Sequence, residues 1–404
     1  MSQSPARERL REQRVWKANL KMLPTRRFGV PIGTWLGLGC CAAALALDHV
    51  TLSRDGKKVS VTGRVVTEAE DGGLLVLARD GVLWRIDPKD VIAHTKDAAP
   101  FTLFSDEELG RKLLAELPRG FEIHRTSHYL ICYNTSRGYA QWCGSLFERL
   151  YLAFTNFWSR KGFTLTEPDY PLVAIVFADR RSYVSHAQAE VGDAAGSIIG
   201  YFNLETNRIT MYDLTGSEAS GRPAERGGSL AQINRILAQP HAERTVATIV
   251  HEATHQIAYN CGLHARLSDC PLWFSEGIAI YFETPDLASA RGWRSVGAVN
   301  QARLAQFADY LRRRPADSLS TLLSDDRRFR DTKQALDAYA EAWALTYYLL
   351  RQQPKQYMAY LTLLAGKKPL VWDDPATRLK EFQAAFGDLA RLDADFVRYM
   401  ARVR

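Results

Sequence analysis

The stretch Val250-His251-Glu252-Ala253-Thr254-His255-Gln256 constrains this chain more than any other. Two histidines four positions apart lie one turn above each other on a helix, so both imidazoles can reach one ion. Glu252, next to the first of them, points toward the open side of that ion. A carboxylate there, not itself a ligand, can take a proton from water. The surroundings are those of a helix. Val246, Ile249, Val250, Ala253 and Ile257 form an apolar stripe around the histidines, Pro240 suits a first helical turn, and Gly262 follows as a stop.

A site of this kind needs a third protein ligand, with the fourth position left to water. The compact solution, a glycine and a third histidine within six residues of His255, is absent because Ala258 and Cys261 stand at those places. Further on, the run from Leu272 to Phe282 reads as a second helix with one carboxylate, Glu276, at its centre, 21 residues past His255. That is enough chain to end one helix, turn, and lay a second across it. A carboxylate in so apolar a run is costly to bury unless it is paired or bound to metal; the other reading is a glutamate near a helix N-terminus, facing water.

His251-Glu252-x-x-His255 followed by Trp273-x-x-Glu276-Gly277-x-Ala279 resembles the gluzincin zinc metallopeptidases, most of all their aminopeptidase-type branch. The longer run, from His251 through Gly262-Leu263-His264 and Pro271-Leu272-Trp273 to Tyr281-Phe282-Glu283, is similar to an uncharacterised bacterial family of gluzincin-like domains. The likeness extends over residues 120–400, with its motifs confined to 240–290. It implies His251, His255 and Glu276 as ligands of Zn2+, Glu252 as general base, and a tyrosine farther on that steadies the transition state. Tyr339, 63 residues after Glu276, fits that place; the alternative is an ordinary half-buried helix tyrosine. Some gluzincins carry an aspartate four residues after the third ligand to orient a zinc histidine. Here that position is Ile280, so another group must do this. The family also pairs an extended substrate with an edge strand ahead of the zinc helix. The hairpin formed by 198–203 and 208–212 is the candidate, with a Gly/Ser-rich loop at 215–228 beside it.

The formal net charge of +7 does not mark a nucleic-acid binder. Residues 1–27 hold eight basic and two acidic side chains, and the remainder is balanced at 44 basic to 43 acidic. Twenty uncharged residues follow, 28–47, and together with the basic segment they read as an export signal. Cleavage after Ala44-Leu45-Ala46 would free a chain from Leu47; retention would make 28–47 a membrane anchor. A lipoprotein site at Cys40-Cys41 and a twin-arginine signal at Arg26-Arg27 fit less well. Each variant places the folded part outside the cytoplasm. Cys132, Cys143, Cys261 and Cys270 then suit an oxidising compartment, and of three possible pairings proximity favours Cys261 with Cys270 and Cys132 with Cys143.

Residues 48–100 show short β runs separated by Asp-Gly turns, which predicts a small all-β, barrel-like module. A connecting helix is expected within 101–119, then a zincin-like domain over 120–404. Its β-rich front (120–213) includes one strand over Phe121–Tyr133 carrying His124 and His128, read as structural or surface residues. The zinc-site helices (240–285) and a helical C-terminal part (286–404) follow. The expected class is α+β. The resemblance implies an exported zinc metallopeptidase acting on a peptide or protein substrate. The alternative is a non-catalytic, zinc-containing extracellular binding or scaffolding protein on the same fold.

Overall fold

The computed structural model describes residues 46–69, 71–215, 229–284, 293 and 296–404. The expected export segment and the Gly/Ser-rich loop at 215–228 lie almost wholly outside them.

Five strands open the chain: β1 (Ala46–Arg54), β2 (Lys57–Glu68), β3 (Leu74–Ala78), β4 (Leu83–Ile86) and β5 (Val91–Pro100). They form one antiparallel sheet in the order β4-β3-β2-β1-β5. The barrel expected here does not close, because β4 and β5 end as opposite, unjoined edges. The reason is in β5, whose residues after Val91 are all exposed, so it has no apolar face to fold inward. The same lack of alternation hides β5 from a pattern-based reading, while β2 merges two runs that read as separate strands.

Helix α1 (Asp106–Glu116) follows with a full capping box between Ser105 and Glu108. A second sheet is then built from β6 (Glu122–Arg125), β7 (Tyr129–Tyr133), β8 (Leu172–Phe177), β9 (Gly200–Asn203) and β10 (Arg208–Tyr212), in the order β6-β7-β8-β10-β9. β8 runs parallel to both neighbours, and the outer pairs are antiparallel hairpins. The segment 121–133 is therefore two strands rather than one. The turn at 126–128 is fixed by Glu148, which accepts from the His128 main-chain N–H at 2.7 Å and pairs with its ring at 2.7 Å.

Both faces of this sheet are covered, which explains why every residue of β8 is buried. In β7, Tyr129, Ile131 and Tyr133 face the long helix α2 (Arg137–Arg160), and Leu130 and Cys132 face α1 and α3 (Arg180–Val191). This alternation separates Cys132 from Cys143, which lies on α2 in the opposite core. The expected disulfides are not formed, and Cys132, Cys143, Cys261 and Cys270 are all free. Cys261 sits by the Tyr151 hydroxyl, whereas Cys270 lies toward Arg378 and Lys367. Burial pushes the Cys132 and Cys261 thiols up to about 12, so both stay neutral.

The rest is helical: α4 (Leu230–Leu237), α5 (Pro240–Asn260), α6 (Leu272–Phe282), α7 (Gln301–Leu311), α8 (Ser318–Ser324), α9 (Arg327–Arg330), α10 (Ala335–Gln352), α11 (Pro354–Ala365), α12 (Pro375–Phe386) and α13 (Leu389–Met400). α5 lies between the second sheet and α6, and α6 packs on α10. Gly277 allows that last approach. A Cβ at this position would overlap Thr346 Oγ1 and come within 2.8 Å of the Ala342 carbonyl oxygen. Gly277→Ala is therefore expected to destabilise the protein by about 1–3 kcal/mol, read as a lower denaturant midpoint at unchanged slope. Thr346→Ala should restore part of the loss, because the backbone contact remains.

Candidate metal centre

α5 begins with Pro240 in its first turn and ends at Asn260, where Gly262 takes a positive φ of 77°. Its inner face is pinned to the sheet by a buried side chain next to His255. The Gln256 amide donates to the Val173 carbonyl at 3.0 Å and to the Asn207 carbonyl at 2.9 Å. The opposite turn of the helix presents His251 and His255, each 9% exposed.

Their Nε2 atoms stand 3.1 Å apart. Glu276, from the centre of α6 and buried as the apolar run demands, brings Oε2 to 3.0 Å from His251 Nε2 and Oε1 to 3.4 Å from His255 Nε2. The three donor groups lie within 4.8 Å of one another and could hold a metal ion. The spacing suits a small tetrahedral one: ligands about 2.0–2.1 Å from zinc lie roughly 3.3 Å from each other. The donor set is two imidazoles and a carboxylate, which leaves one position of a tetrahedral ion without a protein ligand from this group.

The group that orients His251 is Glu283, just past the end of α6. Its Oε1 lies 3.1 Å from His251 Nδ1, which holds the ring with Nε2 turned toward His255 and Glu276. Glu283 is itself held by the Asn300 amide at 3.2 Å and by Arg303 at 3.6 Å. Reading the chain for an acid four residues after Glu276 misses it. Seven residues, two full turns, also returns to the same face, and that spacing was the available signal.

The carboxyls of the site divide into two kinds. Burial works to raise Glu276, but His255 and His251 beside it overcome this and hold it well below the usual carboxylate range. Burial pushes Glu252 upward, and the histidines only partly offset it. Glu252 is 2% exposed, and its Oε2 accepts from the Phe202 main-chain N–H at 2.8 Å. Phe202 lies on β9, the edge of the sheet, and turns this N–H away from its partner β10. Burial acts to lower His251, yet its hydrogen bonds to Glu276 and Glu283 carry it well above the ordinary imidazole value.

Tyr339 comes from α10 and lines the same cavity as His251 and Glu252. Its ring stands edge-on to Phe329 at 5.4 Å, and the Arg303 guanidinium lies 5.7 Å from its centroid. His264 stays outside the triad, buried between the rings of Tyr259 and Phe274 at 5.2 and 5.6 Å. Burial, with His255 nearby, pushes it down to about 3, so it remains neutral.

Two outcomes follow for metal binding. Glu283→Gln should weaken zinc affinity by about 10–100-fold in a competition titration, with the fold intact by circular dichroism. In the wild type, metal entry must displace the proton that His251 retains above its ordinary range. Affinity should therefore rise between pH 6 and pH 8 by up to about tenfold per unit. A flat profile would contradict the proton held at His251.

Residues 245–371 match a family model described as "Protein of unknown function (DUF1570)". No curated protein and no solved structure matches the chain. The matched segment contains the three donor residues, Glu252, Glu283, Arg303 and Tyr339, so the whole candidate centre falls inside a domain of the DUF1570 type.

Proposed function

We propose that this chain is a zinc-dependent metallopeptidase of the gluzincin type, acting outside the cytoplasm. The observation that carries the reading is the convergence of His251, His255 and Glu276 beside the buried, upward-shifted carboxyl of Glu252, which lines a cavity together with His251. A zinc ion bound there supplies a Lewis acid for a peptide carbonyl and makes water acidic enough to react near neutral pH.

The remaining work falls to the chain's own groups. Glu252, with one oxygen held by the Phe202 N–H, takes the proton of the attacking water on the other and passes it to the leaving amine. Glu283 keeps His251 in the tautomer that ligates. Tyr339 is the donor assigned to the developing oxyanion. β9, the last strand of the sheet and beside Glu252, is the strand assigned to a substrate in extended form. A non-catalytic binding role drew its support from the missing acid at position 280 and from the β module at the front of the chain. Glu283 serves the purpose of that acid from another turn, and hydrolysis is the better-supported reading.

Purified protein is expected to carry about one zinc per chain by mass spectrometry, and His251→Ala to carry none. Glu252→Gln should keep the metal and lose all cleavage of a mixed peptide pool. Residual cleavage by that variant would overturn the mechanism. Tyr339→Phe should lower kcat by about 10²–10³-fold at unchanged metal content.

A further inference from the structure

A cavity of about 510 Å3 opens beside His251 and Glu252, between the first turns of α5 and the start of α7. Its size is ordinary for a ligand site, roughly 300–1,000 Å3, but such sites are lined mainly by aliphatic and aromatic side chains. Here Ala247, Val299, Ala302 and Leu336 are the only aliphatic residues among the sixteen that line it. The side chains they offer are small or medium in size, and none forms a greasy floor.

The charges in the cavity already answer one another. Glu283 stands 3.1 Å from the His251 ring and 3.6 Å from Arg303. At the rim, Glu243 and Arg244 are exposed neighbours of opposite sign. A charged side chain entering beside Glu283 finds that carboxylate already answered by His251 and Arg303. A large apolar one would strip water from hydroxyl and amide groups without replacing their hydrogen bonds. Thr248, one turn before His251 on the same helix face, shows what is on offer. Its hydroxyl donates to the Arg244 carbonyl at 3.3 Å, which leaves its oxygen lone pairs to accept from a ligand. Thr284 and Gln306 add further polar groups to the wall.

We propose that this cavity is the subsite for a residue flanking the cut bond, and that it selects a neutral hydrogen-bonding side chain (Asn, Gln, Ser or Thr) over large aliphatic or aromatic ones. The inference rests on the peptidase reading of the centre and specifies its substrate class.

The test uses zinc-loaded, full-length protein and a peptide library randomised on both sides of the cleavage position, with products sequenced by mass spectrometry. Alongside it, the Glu252→Gln variant is titrated with paired peptides that differ only in Asn against Leu at each flanking position. Enrichment of amide and hydroxyl residues at one flanking position, with Asn peptides bound about tenfold or more tighter than their Leu partners, supports the subsite. Cleavage that is lost in Glu252→Gln but enriched in Leu, Phe or Val at both flanks leaves the peptidase intact and overturns the subsite. If no peptide is cut, the peptidase reading fails, and the titration still decides: equal or preferential binding of Leu peptides, or no binding, overturns the subsite as well. Thr248→Val, nearly equal in volume, should shrink the Asn preference at unchanged metal content. An unchanged preference removes Thr248 from the subsite and counts against it.

Discussion

Glu276 is the group on which the rest of the molecule depends. It sits in the middle of an eleven-residue helix in which every residue from Trp273 to Phe282 is buried. A bare carboxylate in that setting would cost several kcal/mol, so it must be answered by positive charge. Here it meets the imidazoles of His251 and His255, brought up from α5. α6 packs in turn on α10, and there its backbone must be free of bulk. Gly277, the residue after Glu276, supplies this by letting α10 press against α6. Tight packing and the donor triad are thus one requirement expressed at neighbouring positions.

Around this pair the structure adds partners in layers, each fixing the one within. Glu283 fixes the ring of His251, and Asn300 and Arg303 fix Glu283. Asn300 also caps α7, its side chain accepting from the Arg303 N–H at 3.2 Å, so the helix that walls the cavity starts from the same residue that steadies the centre. On the other side, Phe202 fixes Glu252 from the edge of the sheet. A donor arrangement of this sort is best held by rigid elements rather than loops, and each donor here is on or within one residue of a helix or strand.

Much of this was legible in the sequence, for reasons that can be named. His251 and His255 sit at a helical spacing with an apolar stripe around them, and Glu276 is a charge in an apolar run. Both are local patterns, and the structure brings all three residues together. The antiparallel hairpin β9–β10 was visible because two short β runs flank the turn Glu205-Thr206-Asn207, where Asn207 takes a positive φ of 60°. What escaped depends on distance in sequence. Arg303 reaches Glu283 across a segment with no periodic signal, and the Gln256 amide donates to carbonyls of Val173 and Asn207, 83 and 49 residues away. The short strand pair of 122–133 reads as one run because its turn is stabilised by Glu148 from α2, not by glycine or proline. The cysteines mislead for a similar reason, since closeness in sequence says nothing of which face of a sheet a side chain takes.

The N-terminal sheet adds no residue to the donor triad or the cavity lining, yet it is tied to the centre by a continuous set of polar contacts. The Arg266 guanidinium donates to the Gly81 carbonyl of the sheet at 3.0 Å, to the Leu204 carbonyl at 3.3 Å and to the Tyr170 hydroxyl at 2.8 Å. Tyr170 in turn accepts from Asn207, and Asn207 and Asn260 exchange amide hydrogen bonds at 2.7 and 2.9 Å. Asn260 closes the path by donating to the Gln256 carbonyl one turn back on α5. Leu83 of β4 adds a main-chain bond to Glu205 at 2.8 Å, and Leu75, Leu77 and Leu83 pack on Leu267. All of these contacts converge on the turn that joins β9 to β10. An isolated two-stranded edge is only marginally stable in water, and β9 must hold its register if Phe202 is to keep its N–H on Glu252. The front sheet supplies that register from outside, which makes it a structural part of the centre although it contributes no residue to it.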